Sequence, residues 1–156
     1  MSIKFLADFM LGKLARELRI LGFDTEYLAY DKLTDKTPFG ALKIAQNENR
    51  ILLTRNKKLK NSPQVFFIES EIVQEQVIQV LTHFKLHKDI KLGSRCLICN
   101  SLLNPIPKET VKGRVPYYIY KTQNEFVFCA RCQKIYWAGS HYLDMQNRLK
   151  KYCLPK

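Results

Sequence analysis

Apolar residues fall in short blocks along the chain up to about Ile90, and the blocks alternate between two rhythms. Ile3 to Ala7 is a compact apolar run of the kind that fills a buried strand. Met10, Leu11, Leu14, Ala15, Leu18 and Leu21 then recur at the spacing of one helix face, and Gly22 supplies the stop. Asp24 to Tyr30 predicts a second strand, Phe39 to Asn49 a helix with Leu42, Ile44 and Ala45 on its apolar side, and Ile51 to Leu53 a third strand. After the polar, basic stretch Arg55 to Ser62, Val65 to Ile68 predicts a fourth strand. Ile72 to Phe84 predicts a helix with Val73, Val77, Val80, Leu81 and Phe84 on one face. Parallel strands need crossovers that lie on the sheet faces, so this alternation predicts an α/β fold: a mostly parallel sheet flanked by helices.

The helical rhythm stops between His87 and Ser94, which divides the chain into an α/β domain over 1–90 and a smaller module over 91–156. Pro105, Pro107 and Pro116 interrupt the second part. Tyr117 to Tyr120 and Glu125 to Phe128 predict the two strands of a hairpin, and Leu143 to Tyr152 a short basic helix. A chain of 156 residues can hold one ordinary domain and a small module. With 46% hydrophobic residues spread evenly, disorder is excluded. No run approaches the roughly 20 apolar residues of a membrane span, and the first residues do not read as a signal peptide, so no membrane partner is expected.

Four of the five cysteines form two Cys-x-x-Cys pairs, Cys96 with Cys99 and Cys129 with Cys132. The chain between the pairs is long enough for a hairpin to bring both to one ion. Four thiolates then close a tetrahedral shell, as in a structural zinc site with no position left for water. The expected cofactor is therefore Zn2+ in a C-terminal four-cysteine zinc ribbon, and the expected compartment is a reducing cytoplasm. Cys153 is left as a free thiol, and His141 as a polar residue beside a ligand set that is already complete.

Charge adds a partner to this picture. Lys and Arg number 26 against 14 Asp and Glu, a formal net charge of +12, which favours a polyanion such as RNA. Lys13, Arg16 and Arg19 recur every three residues as one basic stripe on the first helix. Arg55, Lys57, Lys58 and Lys60 crowd the loop after the third strand, at the end of the sheet where open α/β folds bind ligands. In the second module Tyr117, Tyr118, Tyr120, Tyr136 and Trp137 mix with Lys112, Arg114, Lys121, Arg131 and Lys134. That mixture suits stacking on unpaired bases, and equally the packing of a small core.

Particular strings carry a resemblance. They are Phe5-Leu6-Ala7-Asp8, Met10-Leu11-Gly12-Lys13-Leu14-Ala15-Arg16, Leu21-Gly22-Phe23-Asp24-Thr25, Arg50-Ile51-Leu52-Leu53-Thr54-Arg55, both cysteine pairs, and Ile135-Tyr136-Trp137-Ala138-Gly139-Ser140-His141. Together, from about Ile3 to Asp144, they resemble the Mut-seven carboxy-terminal ribonuclease family. The resemblance implies a PIN-like nuclease fold fused to a zinc ribbon, and hydrolysis of RNA with Mg2+ or Mn2+ held by carboxylates at the strand ends. Asp8 matches the family's first acid and is the expected metal ligand; capping of the helix that follows is its other reading. Here the chain departs from the pattern. Asn56 stands where the acid after Leu-Thr-Arg is usual, and another family acid falls at about Pro38. Asn56 offers only a carbonyl oxygen to a catalytic site, with Asp31, Asp35 and Glu48 as further candidates. Two functions are therefore expected to compete: a metal-dependent endoribonuclease using Asp8, and a degenerate RNA-binding or protein-docking module without nuclease activity.

Overall fold

The computed structural model of the protein describes residues 2–138 and 140–153, and leaves the side chains of 140–142 and 153 undescribed, so His141 and Cys153 lie outside it. The first part is a four-stranded parallel sheet made of β1 (Phe5–Ala7), β2 (Thr25–Tyr27), β3 (Ile51–Thr54) and β4 (Val65–Phe67), in the order β2-β1-β3-β4. Three helices connect the strands or close the unit: α1 (Gly12–Ile20), α2 (Pro38–Asn47) and α3 (Val73–Phe84). Side chains alternate across the pleat, and the two faces divide accordingly. Phe5, Ala7 and Leu53 pack with Leu14, Leu18 and Leu21 of the α1 region and with Val77, Val80 and Leu81 of α3. Leu6 and Leu52 point the other way, onto Ala41, Leu42 and Ala45 of α2. Both faces are covered, which is why these strands read as unbroken apolar runs. Burial of a Leu of this kind contributes about 1.5–3 kcal/mol.

The smaller part is an antiparallel sheet of β5 (Asn104–Ile106), β6 (Phe126–Cys129) and β7 (Lys134–Trp137), with β6 in the centre. Pro105 lies in β5, an edge strand, where a missing N–H costs no ladder bond on the open side. The expected strand at 117–120 is instead a helix, α4 (Tyr117–Thr122). The run of β-branched and aromatic residues suggested an extended segment. However, Pro116 leads the chain into a helical turn that buries Ile119 with Val111 and Phe126 and leaves Tyr117 and Tyr118 outside. Both neighbours of the central strand are supplied by β5 and β7, so no pairing position beside β6 remains.

The two parts are stitched together at the start of the sheet. Gly22 ends α1 with φ +94, and a Cβ there would lie 2.4 Å from the Lys91 carbonyl, so the close approach of the connecting segment requires glycine. The Lys91 and Gly93 amides donate to the Leu21 and Ile20 carbonyls. The last helix, α5 (Ser140–Cys153), returns to the first part, where Tyr152 and Leu149 pack in its core. The buried Glu17 carboxylate of α1 fixes α5 by accepting from Arg148 and from the Tyr152 hydroxyl at 3.0 Å. Burial first, and Glu17 second, push the Tyr152 phenol above its ordinary range, so it serves as a donor only. Among the described residues no helix is long and apolar enough to cross a membrane.

Candidate functional site

Two polar centres stand out, and the cysteine cluster is the more complete. Each Cys-x-x-Cys pair forms a tight turn whose following residue takes the left-handed conformation, Asn100 at φ 71 and Gln133 at φ 57. That backbone turns the next amide back onto the first cysteine of its pair: Asn100 N donates to the Cys96 carbonyl at 2.9 Å and Gln133 N to the Cys129 carbonyl at 2.8 Å. Two similar knuckles therefore face each other. The second sits on the hairpin between β6 and β7, and the first on a hairpin closed by Cys96 N donating to the Ser101 carbonyl.

All four sulfurs lie within 4.8 Å of one another, with Cys96 and Cys132 at 3.9 Å and Cys99 and Cys129 at 3.5 Å. A tetrahedron with Zn–S bonds of about 2.3 Å has edges of about 3.8 Å, so the cluster can form a zinc site. Groups around the sulfurs also suit a cation. The Tyr136 hydroxyl lies 3.1 Å from Cys96 Sγ and the Ser101 hydroxyl 3.2 Å from Cys99 Sγ, while Cys132 N donates to Cys129 Sγ. Burial opposes ionisation of Cys99, but the Ser101 hydroxyl and amide outweigh it and bring the thiol down to about 6. Cys96 moves down in the same way, with the Tyr136 hydroxyl opposing burial. Cys132 is pushed up to about 12, chiefly by Cys99, and burial raises Cys129. So many thiolates cannot crowd together without a positive ion, and a divalent cation would relieve the conflict.

The second centre lies at the C-terminal ends of β1 and β3. Asp8 follows β1 and is buried. Its Oδ1 accepts from Met10 N at 3.3 Å, capping a single turn over Phe9–Leu11, and its Oδ2 accepts from the Thr54 hydroxyl at 2.7 Å. Thr54 Oγ1 in turn accepts from Asn56 N at 3.0 Å. Asn56 caps the next turn, its Oδ1 accepting from Lys58 N at 3.0 Å. The structure thus joins Asp8 and Asn56 through one hydroxyl, a link the sequence did not signal. Among the described residues no cluster of three or more acids forms there, and the candidates Asp31 and Glu48 are exposed. Asp35 binds Thr37 and faces Lys43, and Asp24 is held below the usual carboxylate range by Arg50 and Asn100 despite its burial. Pro38 occupies the start of α2. Among the described residues, the four cysteines form the one cluster of three or more His, Cys, Asp or Glu side chains suited to a metal.

The basic residues separate into two kinds. Lys13, Arg16, Lys57 and Lys58 are exposed. Arg19 is only 7% exposed: its Nε donates to the Thr25 carbonyl at 2.8 Å, and Nη1 donates to the Leu97 and Ile98 carbonyls of the first knuckle at 2.9 and 3.2 Å. Burial lowers its pKa while Glu26 and the thiols of Cys99 and Cys96 act in the opposite direction; a guanidinium stays charged nonetheless. Arg19 therefore belongs to the support of the cysteine cluster. Arg55 is likewise engaged, donating to the Ile68 and Glu69 carbonyls and facing Glu71. Of the aromatic residues, Tyr136 supports Cys96 and Trp137 packs edge-on to Phe126, whereas Tyr117 and Tyr118 are exposed.

Asn100, the residue after the first cysteine pair, to which the sequence alone assigns no role, ties the knuckle to the sheet. Its Oδ1 accepts from Thr25 N at 3.0 Å, and its Nδ2 donates to Asp24 at 2.7 Å and to Glu26 at 3.2 Å. An asparagine directly after a Cys-x-x-Cys pair was the only available signal. A cavity of about 520 Å³ lies between α1, the antiparallel sheet and α5, lined among others by Arg16, Ile20, Trp137, Met145 and Arg148. The family model of the Mut7-C RNAse domain matches residues 3–149. No curated protein matches the chain, and no solved structure does.

Proposed function

The chain belongs to the Mut7-C RNAse domain family, and on that premise we propose that it binds RNA across the C-terminal end of its parallel sheet, on a nuclease-type scaffold whose cutting centre is reduced to one carboxylate. Lys13 and Arg16 on α1 and Lys57 and Lys58 after β3 are the residues proposed to meet phosphates. Arg19 and Arg55 contribute by holding the surfaces on which those cations stand. The four cysteines are proposed to hold Zn2+, which keeps the knuckles folded and, through Arg19 and Asn100, docked on the sheet.

The observation that carries the non-cleaving reading is the state of Asp8. Its two oxygens already accept from Met10 N and Thr54, and the neighbouring capping position offers the neutral amide of Asn56. Hydrolysis of a phosphodiester with Mg2+ or Mn2+ needs several anionic oxygens to hold the ion where it activates water and offsets charge on the phosphate. One carboxylate and one amide carbonyl supply little of that. The position of Asp8 at the end of β1, joined through Thr54 and Asn56 to the turn that carries Lys57 and Lys58, favours the second reading, a metal-dependent endoribonuclease with Asp8 as its catalytic ligand.

A mixed, end-labelled RNA pool incubated with the protein in Mn2+, beside Asp8→Ala and a chelator control, separates the readings. The expected result is salt-sensitive binding with the RNA left intact. Cleavage that disappears in both controls would establish the nuclease. RNA affinity that is weak and indifferent to salt would replace both with a protein-docking role.

A further inference from the structure

The cavity of about 520 Å³ takes its walls from both parts of the molecule. Ile20 of α1, Leu97 and Leu103 around the first knuckle, Val127 and Trp137 of the antiparallel sheet and Met145 of α5 supply apolar surface. Space of this size suits a small ligand, and the walls are formed in advance. Arg19 and Asn100 hold the knuckle on the sheet, and Glu17 holds α5 through Arg148 and Tyr152. The polar groups in the lining differ in how much of their bonding is used. Arg148 is taken up by Glu17 and Asp144. Arg95 donates from Nε to the Gly22 carbonyl at 3.2 Å and from Nη1 to the Asn100 carbonyl at 2.9 Å, which fixes the guanidinium and leaves Nη2 without a described partner. Arg16 and Glu125 are exposed, and neither has a described partner.

We propose that this cavity is a binding site for a guanine base, carried by a free nucleotide or by a nucleotide of a longer strand. Apolar walls that include an indole favour a flat heterocycle, which releases the water that covers them. The free polar groups then choose among the bases. A carboxylate accepts and cannot donate, while a guanidinium donates and cannot accept. The matching ligand offers N–H donors to Glu125 and acceptors to Arg16 and Arg95. Guanine does both on neighbouring edges, with donors at N1 and N2 and acceptors at O6 and N7. Adenine sets its N6 donor beside N7 and so meets a guanidinium with a like group. Cytosine and uracil have no N7 edge and fill less of the space. A bare phosphate would leave the apolar walls wet and would be repelled by Glu125. The site shares Arg16 with the RNA path given above but does not depend on it, since a free guanine nucleotide presents the same edges.

Trp137 is the only tryptophan of the chain, so its emission reports on the cavity. The full chain is titrated with guanosine, adenosine, cytidine and uridine monophosphates. Expected is a change in Trp137 emission with the guanine nucleotide, which binds about ten-fold tighter than the other nucleotides. Glu125→Gln should bring guanosine monophosphate to the level of adenosine monophosphate. Val127→Phe, which fills the cavity from β6, should abolish the response, and thermal unfolding of both variants checks that the fold persists. Two short RNAs that differ only in one unpaired guanosine or adenosine identify the source of the base. A preference seen only in these RNAs means that guanine is read within a strand, and one seen also with the monophosphates means that a free nucleotide suffices. Equal affinity for every nucleotide in both formats overturns the site, as does a guanine preference that survives both Glu125→Gln and Val127→Phe. Tight binding of guanosine monophosphate by a protein that binds no RNA would leave this site standing and remove the RNA reading.

Discussion

The cysteine cluster and the end of the parallel sheet are both polar centres at the tips of strands, yet they are built to different degrees. At the cluster four thiols converge, two driven down and two driven up in pKa, with hydroxyls, amides and Arg19 arranged around them. At the sheet end one carboxylate is tied to a hydroxyl and an amide, and the neighbouring cap is neutral. The cluster offers four ligand atoms within 4.8 Å of one another, enough to surround one cation. At the sheet end each Asp8 oxygen accepts one hydrogen bond, about half of what a carboxylate can accept. Four converging thiols demand a counter-charge, whereas a single hydrogen-bonded carboxylate does not, and that difference in charge density separates the two centres more sharply than residue type does.

The largest effect expected is loss of the cluster. Cys96→Ser or Cys129→Ser, or a strong chelator, should abolish bound zinc and unfold the antiparallel sheet, since such ions contribute about 10–16 kcal/mol of folding free energy in small modules. Metal analysis and the emission of Trp137 report both. Proton linkage follows from the same groups. At pH 7 the thiols of Cys129 and Cys132 are raised and hold their protons, whereas Cys99, at about 6, is mostly thiolate. Ion binding must displace the held protons, so affinity rises with pH and falls on acidification, steepening further below about pH 6 as Cys99 also protonates. Proton release during titration in two buffers of different ionisation heat checks the sign; affinity independent of pH would contradict it.

Asn100→Ala probes the seam between the two regions. It removes three hydrogen bonds, leaves Thr25 N buried without an acceptor and places a Cβ residue at φ 71 without the amide that favours it. A loss of about 2–3 kcal/mol in urea unfolding is expected.

Next in size are the cations. Lys13→Glu with Arg16→Glu should weaken RNA binding about ten-fold and flatten its salt dependence by about one to two units of slope. Arg19→Gln should instead lower stability and leave the slope alone, because its donors are used within the protein. Equal slopes for all three substitutions would erase the distinction drawn between exposed and engaged arginines.

Asn56→Asp is the smallest change in stability, within about 0.5 kcal/mol, because either side chain can cap the turn that receives Lys58 N. Its value is functional. A second carboxylate joined through Thr54 to Asp8 should raise Mn2+-dependent cleavage above that of the wild type, measured on the same labelled pool. No gain would mean that one further carboxylate is not enough to hold the ion.

Much of the fold was legible in the chain. The apolar blocks gave all four parallel strands and three helices, because a strand buried on both sides and a helix buried on one leave different periods. The cysteine pairs were legible for a similar reason: each knuckle is a local turn, closed between a residue and one four positions on. The segment at 117–120 has the composition of a strand, yet Pro116 starts it as a helix that buries Ile119 against Val111 and Phe126, contacts distant along the chain. The cavity was equally invisible, since its walls come from both parts of the chain.

The sequence by itself determined the α/β layering, the likeness to a nuclease family and the cysteine knuckles. Tertiary structure alone decided that Arg19 leaves the basic stripe, that Asn100 binds the two regions together, and that Asp8 meets Asn56 through Thr54. Helical spacing places Arg19 beside Lys13 and Arg16, but its acceptors at Leu97 and Ile98 lie 78 and 79 residues away along the chain. No local period carries that distance; it is fixed only when burial of the apolar faces brings the knuckle and the helix together.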